Sequence, residues 1–119
     1  MLAVFAHPDD EVFSGGILAK MADRGIRVTL ACATAGEAGK VHPTLAPVDD
    51  LGAVRMAELA CACRRLGIDP PVFLGFHDSA RKERQRRDDP RALANVDMAA
   101  CRPAIVCSDS VWKWNWLRP

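Results

Sequence analysis

The chain is predicted to fold as an α/β domain with a mainly parallel sheet. Three observations lead there. Short runs at Leu2–Ala6, continuously apolar, at Ile26–Thr34, β-branched at first and apolar later, and at Val72–Phe76 have the length of strands. Helical patterns separate them, and strand–helix alternation calls for parallel strands with right-handed crossovers. Each run also ends in a polar or acidic loop, at the strand ends where ligands bind in such sheets.

The elements follow in order. Leu2–Ala6 runs into His7-Pro8-Asp9-Asp10-Glu11. Pro8 holds His7 extended and fixes the direction in which the chain leaves the strand. Asp9 or Asp10 then caps a helix reaching about Arg24, with Gly25 as its stop. Gly15 and Gly16 weaken that helix and are read as allowing close packing of its first turns. Without a G-x-G-x-x-G pattern they are not read as a phosphate loop. The second strand, Ile26–Thr34, ends in Thr34-Ala35-Gly36-Glu37-Ala38-Gly39. After a proline-punctuated connection over 40–50, Asp49 or Asp50 starts a helix to Leu66, stopped by Gly67. Met56, Leu59, Ala60, Cys63 and Leu66 form its core stripe, while Arg55, Glu58 and Arg65 lie elsewhere on its surface. The third strand leads into His77-Asp78-Ser79. The basic run Arg81–Arg87 reads as a solvated loop, and Asp88-Asp89-Pro90 as the cap of a short helix from Arg91 to about Ala100.

Composition narrows the function classes. With 119 residues and a net charge of +1, one compact domain is expected, and nothing points to nucleic acid or a polyanionic partner. The apolar runs are far too short to cross a membrane, and the first residues lack the pattern of a secretion signal. A cytoplasmic setting is therefore expected. The five cysteines, Cys32, Cys61, Cys63, Cys101 and Cys107, are odd in number and lack C-x-x-C spacing. They read as reduced, mostly buried thiols and not as a disulfide framework.

The acidic loop carries the chemistry. His7 and Asp10 are three apart across a strand-to-helix junction, so an imidazole and a carboxylate can converge on one ion. Zinc accepts such N/O ligation at about 2.0–2.2 Å. Asp9 is then left to act on a water. The bland alternative is a helix cap of three acids beside a satisfied histidine, each acid contributing about 0.3–1 kcal/mol. Glu37 could equally serve its turn, Arg55 and Glu58 could be a weak surface pair, and Asp78-Ser79 could be a turn.

Ala6-His7-Pro8-Asp9-Asp10-Glu11 after an N-terminal apolar strand resembles the signature of the LmbE/PIG-L family of zinc-dependent N-acetylglucosaminyl deacetylases. Thr34–Gly39, Arg55-Met56-Ala57-Glu58-Leu59 and Leu74–Ser79 are similar to further family segments, in order over about Met1 to Ala100. The resemblance implies a Rossmann-like, three-layer α/β/α fold and a hydrolase that removes acetyl from an N-acetyl sugar conjugate. It implies that His7 and Asp10 ligate Zn2+, that Asp9 is the general base, and that Arg55, Asp78 and Glu37 lie toward the substrate. The family's third ligand comes from a downstream segment resembling H-P-D-H, which this sequence lacks. Residues 1–100 are thus expected to be the N-terminal portion of the family fold, and 101–119, with every tryptophan of the chain, a divergent tail. His77 lies at the correct end of the sheet, but the resemblance gives it no ligand role, and His42 sits in the connection. A shortened sheet leaves an open edge that a second copy of the chain could cover. Two other readings stay open: an inactive remnant of the family, and a receiver-like module that binds magnesium and uses Asp78 as acceptor.

Overall fold

A computed structural model describes residues 1–44, 47–81, 86–97 and 99. Strand β1 (Leu2–Phe5), helix α1 (Gly15–Asp23), β2 (Thr29–Thr34), α2 (Leu51–Leu66) and β3 (Val72–Phe76) follow one another in the predicted order. The sheet is parallel with order β1-β2-β3; Ala3 pairs with Leu30, Phe5 with Cys32, and Cys32 with Phe73. As the middle strand, β2 is buried at all six positions, which is why it reads as an unbroken apolar run and not as an alternating one.

Those paired residues define one face. Ala3, Phe5, Leu30, Cys32 and Phe73 meet Leu18, Met21 and Ala22 of α1 and Leu59, Cys63 and Leu66 of α2 in one core. Consecutive right-handed crossovers place both helices on the same side of the sheet. Among the described residues, then, one of the two helical layers of the expected three-layer fold is present. No helix among them is long and apolar enough to cross a membrane.

Helix α2 is the element that follows its sequence most closely. The Asp50 side chain accepts the Ala53 N–H, and Gly67 ends the helix in a left-handed conformation. Leu59 and Cys63 of the predicted stripe are fully buried, with Met56, Ala60 and Leu66 half-buried beside them.

Three expectations are corrected. The helix from Asp9 or Asp10 to Arg24 is broken: Asp10–Phe13 form a 3-10 turn and α1 starts only at Gly15. The Asp10 carboxylate accepts the His7 backbone N–H at 2.9 Å, and Asp9 takes φ +104, so the loop is held by side-chain bonds that an α-helical start would forbid. Gly15 and Gly16 do not mediate close packing; a Cβ on Gly16 would meet nothing within 4 Å, and one on Gly15 only Leu66 Cδ2 at 3.8 Å. Finally, the helix expected from Arg91 does not start there: a 3-10 turn at Leu93–Asn95 takes its place, and the described residue in helical conformation is Ala99. Asn95 donates back to the carbonyls of Arg86 and Asp89 at 2.8 Å each, and Ala92 pairs with His77 as an extra bridge, which keeps this segment extended against β3. The tail over 101–119 and the basic residues 82–85 lie outside the described residues.

A register shift precedes the third loop. Thr34 pairs with Phe76 where an even register would give Gly75. Gly75, at φ +79, absorbs the additional residue, a conformation that suits glycine. The shift sets which way His77 and Asp78 face as β3 ends.

Candidate active site

The three loops at the carboxyl ends of β1, β2 and β3 meet, and all six side chains expected to act together are found there. In the first loop His7 Nδ1 lies 3.5 Å from Asp10 Oδ2, with both side chains 37% exposed. Its other ring nitrogen, Nε2, lies 3.5 Å from Asp78 Oδ1, and Asp78 is buried at 6% exposure. The imidazole is therefore flanked by a carboxylate on each side, one partly open to solvent and one closed off.

Asp9 stands beside this pair but points elsewhere. Arg55 Nη2 donates to Asp9 Oδ2 at 2.7 Å and also to the Pro8 carbonyl, while Arg55 Nη1 donates to the Gly36 carbonyl at 2.9 Å. One guanidinium thus ties the first loop to the second from its place on α2. It makes no surface pair with Glu58, the bland alternative for this residue; only 17% of its side chain is exposed, and it is fully occupied with acceptors on two loops. Gly36 is shaped around it: a Cβ there would fall 2.2 Å from Arg55 Nη1, at a backbone φ of +67.

Glu37 braces the third loop. Its Oε1 accepts the Asp78 backbone N–H at 2.8 Å and the Arg86 Nη1 donor at 3.2 Å. Its Oε2 is buried without a partner among the described residues. Arg86 was read as part of a solvated basic run, yet it reaches a carboxylate 49 positions earlier. The signal that could have found it is Glu37 itself, a half-buried acid with no basic residue within its own turn.

A cavity of about 660 Å³ opens over these groups, lined among others by His7, Asp9, Arg55 and Asp78. Glu37 is not among its lining side chains and supports the site from behind. His42 lines the cavity wall and bonds locally to Thr44 at 2.7 Å. His77 faces away, donating from Nδ1 to Asp89 Oδ2 at 2.8 Å. That bond, with the Arg91 N–H next, holds the Asp89 carboxyl below its ordinary range.

The donor set suits a metal ion only in part. Two ligands on one tetrahedral zinc, each at about 2.0–2.2 Å, are about 3.4 Å apart, so His7 Nδ1 and Asp10 Oδ2 already have the right separation. Among the described residues no group of three or more His, Cys, Asp or Glu side chains is arranged to hold an ion. What is assembled here is a pair of possible metal donors, His7 and Asp10, with an aspartate next to it.

Residues 2–111 match the PIG-L family, described as GlcNAc-PI de-N-acetylase. The chain is 41% identical over 117 residues to the 1D-myo-inositol 2-acetamido-2-deoxy-alpha-D-glucopyranoside deacetylase of Salinispora arenicola, covering 89% of this chain and 38% of that protein. The enzyme of the same name from Acidothermus cellulolyticus is 40% identical, with 89% and 40% covered. The fold is similar to that of the N,N'-diacetylchitobiose deacetylase from Pyrococcus horikoshii complexed with its inhibitor MPG. The TM-score is 0.58 at 33% identity, over 66% of this chain and 29% of that one. The chain thus spans about two fifths of the length of the curated relatives it matches. The match excludes the receiver-like reading, which had no use for His7.

Proposed function

The chain belongs to the PIG-L family, and on that premise we propose that it carries the metal-binding and proton-accepting part of a zinc-dependent de-N-acetylase acting on an N-acetylglucosamine conjugate. The observation that carries this reading is the 3.5 Å approach of His7 Nδ1 to Asp10 Oδ2, with Asp9 adjacent and held by Arg55. The printed names of the relatives, all deacetylases of 2-acetamido or N-acetyl sugars, support the substrate class.

In this reading His7 and Asp10 would hold the ion, which would supply an electrophile for the amide carbonyl and acidify a water. Asp9 is placed to accept a proton from the attacking water. Its side chain is 73% exposed and only Oδ2 is engaged by Arg55, so Oδ1 remains to accept. Arg55 fixes the carboxylate's direction through its 2.7 Å bond to Oδ2. Arg55 and Asp78 face the sugar from the cavity wall, and Glu37 sets the loop on which Asp78 stands. The remaining protein ligand and any donor to the leaving amine come from outside the described residues.

The reading extends to setting and assembly. Cys32, Cys61 and Cys63 are free thiols, in keeping with a reducing cytoplasm. Residues 1–100 are read as the deacetylase-like portion, and the family match runs on to residue 111. The exposed Val12 and Phe13 beside the first loop and the short sheet suit association with a second copy.

The test is acetate release from N,N'-diacetylchitobiose and from the N-acetylglucosaminyl inositol named for the relatives, with zinc added, by wild type and Asp9→Ala. Release by wild type, reduced by about 10²–10⁴ in Asp9→Ala, is the expected result. Equal release by both removes Asp9 from its role. Release by neither, with zinc bound, identifies an inactive remnant.

A further inference from the structure

Asp78 entered the site as a residue facing the sugar, but its carboxylate also lies 3.5 Å from the His7 ring. His7 has a carboxylate oxygen 3.5 Å from each ring nitrogen, Asp10 Oδ2 at Nδ1 and Asp78 Oδ1 at Nε2. A neutral imidazole carries one N–H and one lone pair, so one nitrogen must serve a metal and the other must donate. A metal-ligating histidine almost always gives its other N–H to a carboxylate, a carbonyl or a water. Which carboxylate does which job is decided by their surroundings.

Asp10 is on the open side. Its side chain is 37% exposed. Asp78 is closed in: it is 6% exposed, its Oδ1 accepts the Ala80 N–H at 2.9 Å, and its own N–H is held by Glu37 Oε1 at 2.8 Å. Ala80 takes φ +61 to make that bond, so the turn keeps a backbone conformation unusual for alanine while holding the carboxylate in place. The Gly75 register shift brings this rigid turn to the His7 ring. Nor do His7, Asp10 and Asp78 form a three-donor group around one point.

We infer that Asp78 is a positioning residue: with an ion held at Nδ1, the 3.5 Å approach of its Oδ1 closes so that it accepts the His7 Nε2–H and keeps Nδ1 committed to the metal. Glu37 and Arg86 belong to the same device, because Glu37 fixes the Asp78 backbone and Arg86 neutralises Glu37. The inference rests on the metal-site reading above and adds which nitrogen binds and what fixes the ring.

The experiment uses the full chain with isotopically labelled histidine, examined by NMR metal-free and loaded with NMR-active cadmium in place of zinc. His7 signals are identified by their loss in His7→Ala. Cadmium coupling to His7 Nδ1, together with a slowly exchanging Nε2 proton after loading, is the expected result. Asp78→Ala should lose that slow exchange and bind zinc about 10–100-fold more weakly, whereas Asp78→Asn, which keeps an acceptor oxygen, should stay within a few-fold of wild type. Coupling to Nε2 overturns the inference while leaving the metal site intact, and so does unchanged zinc affinity in Asp78→Ala. Failure of any ring nitrogen to couple overturns this inference and the metal-site reading together. The wild-type coupling decides the point even where Asp78→Ala does not fold.

Discussion

At the amino ends of the strands, Arg27 donates to Asp69 at 2.8 Å, Thr29 Oγ1 donates to the same carboxylate at 3.2 Å, and the Asp69 N–H bonds to the Val28 carbonyl. At the carboxyl ends, Asp9, Asp10, Glu37 and Asp78 approach the side chains of Arg55, Arg86 and His7 among the described residues, and Asp10, Glu11, Glu37 and Asp78 also accept backbone N–H groups. The first set is closed: one acid, one base, one hydroxyl, each with a partner. The second is left open, with a surplus of carboxylate charge, a buried oxygen without a partner and two ring contacts too long to be hydrogen bonds. The same residue types therefore seal the sheet at one end and, in the proposed reading, serve to hold a cation at the other.

Substitutions at the two ends should separate this difference. The largest effect is expected from Asp10→Ala, which should abolish zinc uptake in a metal-content assay while leaving the circular dichroism of the fold in place. Arg55→Ala comes next. It strands the Pro8 and Gly36 carbonyls and frees Asp9, and should cost about 1–3 kcal/mol in urea unfolding as well as most of the acetate release. Gly36→Ala should resemble it in activity, because the new methyl occupies the place of the guanidinium.

A smaller difference lies in the backbone of the first loop. Asp9 holds φ +104, so Asp9→Gly should be about 1 kcal/mol more stable than Asp9→Ala, although both lose the carboxylate. Equal stability of the two would show that the loop relaxes when the side chain is removed. At the closed end, Asp69→Ala should cost about 1 kcal/mol or less and leave zinc uptake unchanged, since Arg27 is largely exposed.

Two pH effects are the smallest. Asp89 is held below its ordinary range in the folded chain, so its contribution is present above the usual carboxylate pKa and is lost as acid titrates it. Asp89→Asn should flatten the acid limb of a stability profile. Burial pushes Cys32 from 9.0 up to about 12 and Cys63 up to about 11. The native chain then keeps protons that the unfolded chain releases, and stability should fall as pH rises from 9.0 toward those values. At neutral pH iodoacetamide should label exposed Cys61 and spare both.

The contrast also explains what could be read in advance. The closed, apolar part of the molecule was legible because burial writes a period into the sequence: β3 has its predicted bounds, α2 its cap, stripe and stop. Convergence of the three loops followed from the parallel order alone. The details of the rim did not. Asp10 turning back on the His7 N–H broke the first helix, and Asn95 did the same to the last. Such side-chain bonds to backbone compete with helix formation and leave no periodic trace. Arg55 and Arg86 act across 46 and 49 positions, and a charge run in sequence looks the same whether it is solvated or reaches back into a site.

The account turns on an ion held between His7 and Asp10. Equilibrium dialysis against zinc of wild type, His7→Ala and Asp69→Ala tests it most directly. One zinc per chain in wild type and Asp69→Ala, and none in His7→Ala, is the predicted result. The same zinc content in all three would contradict it.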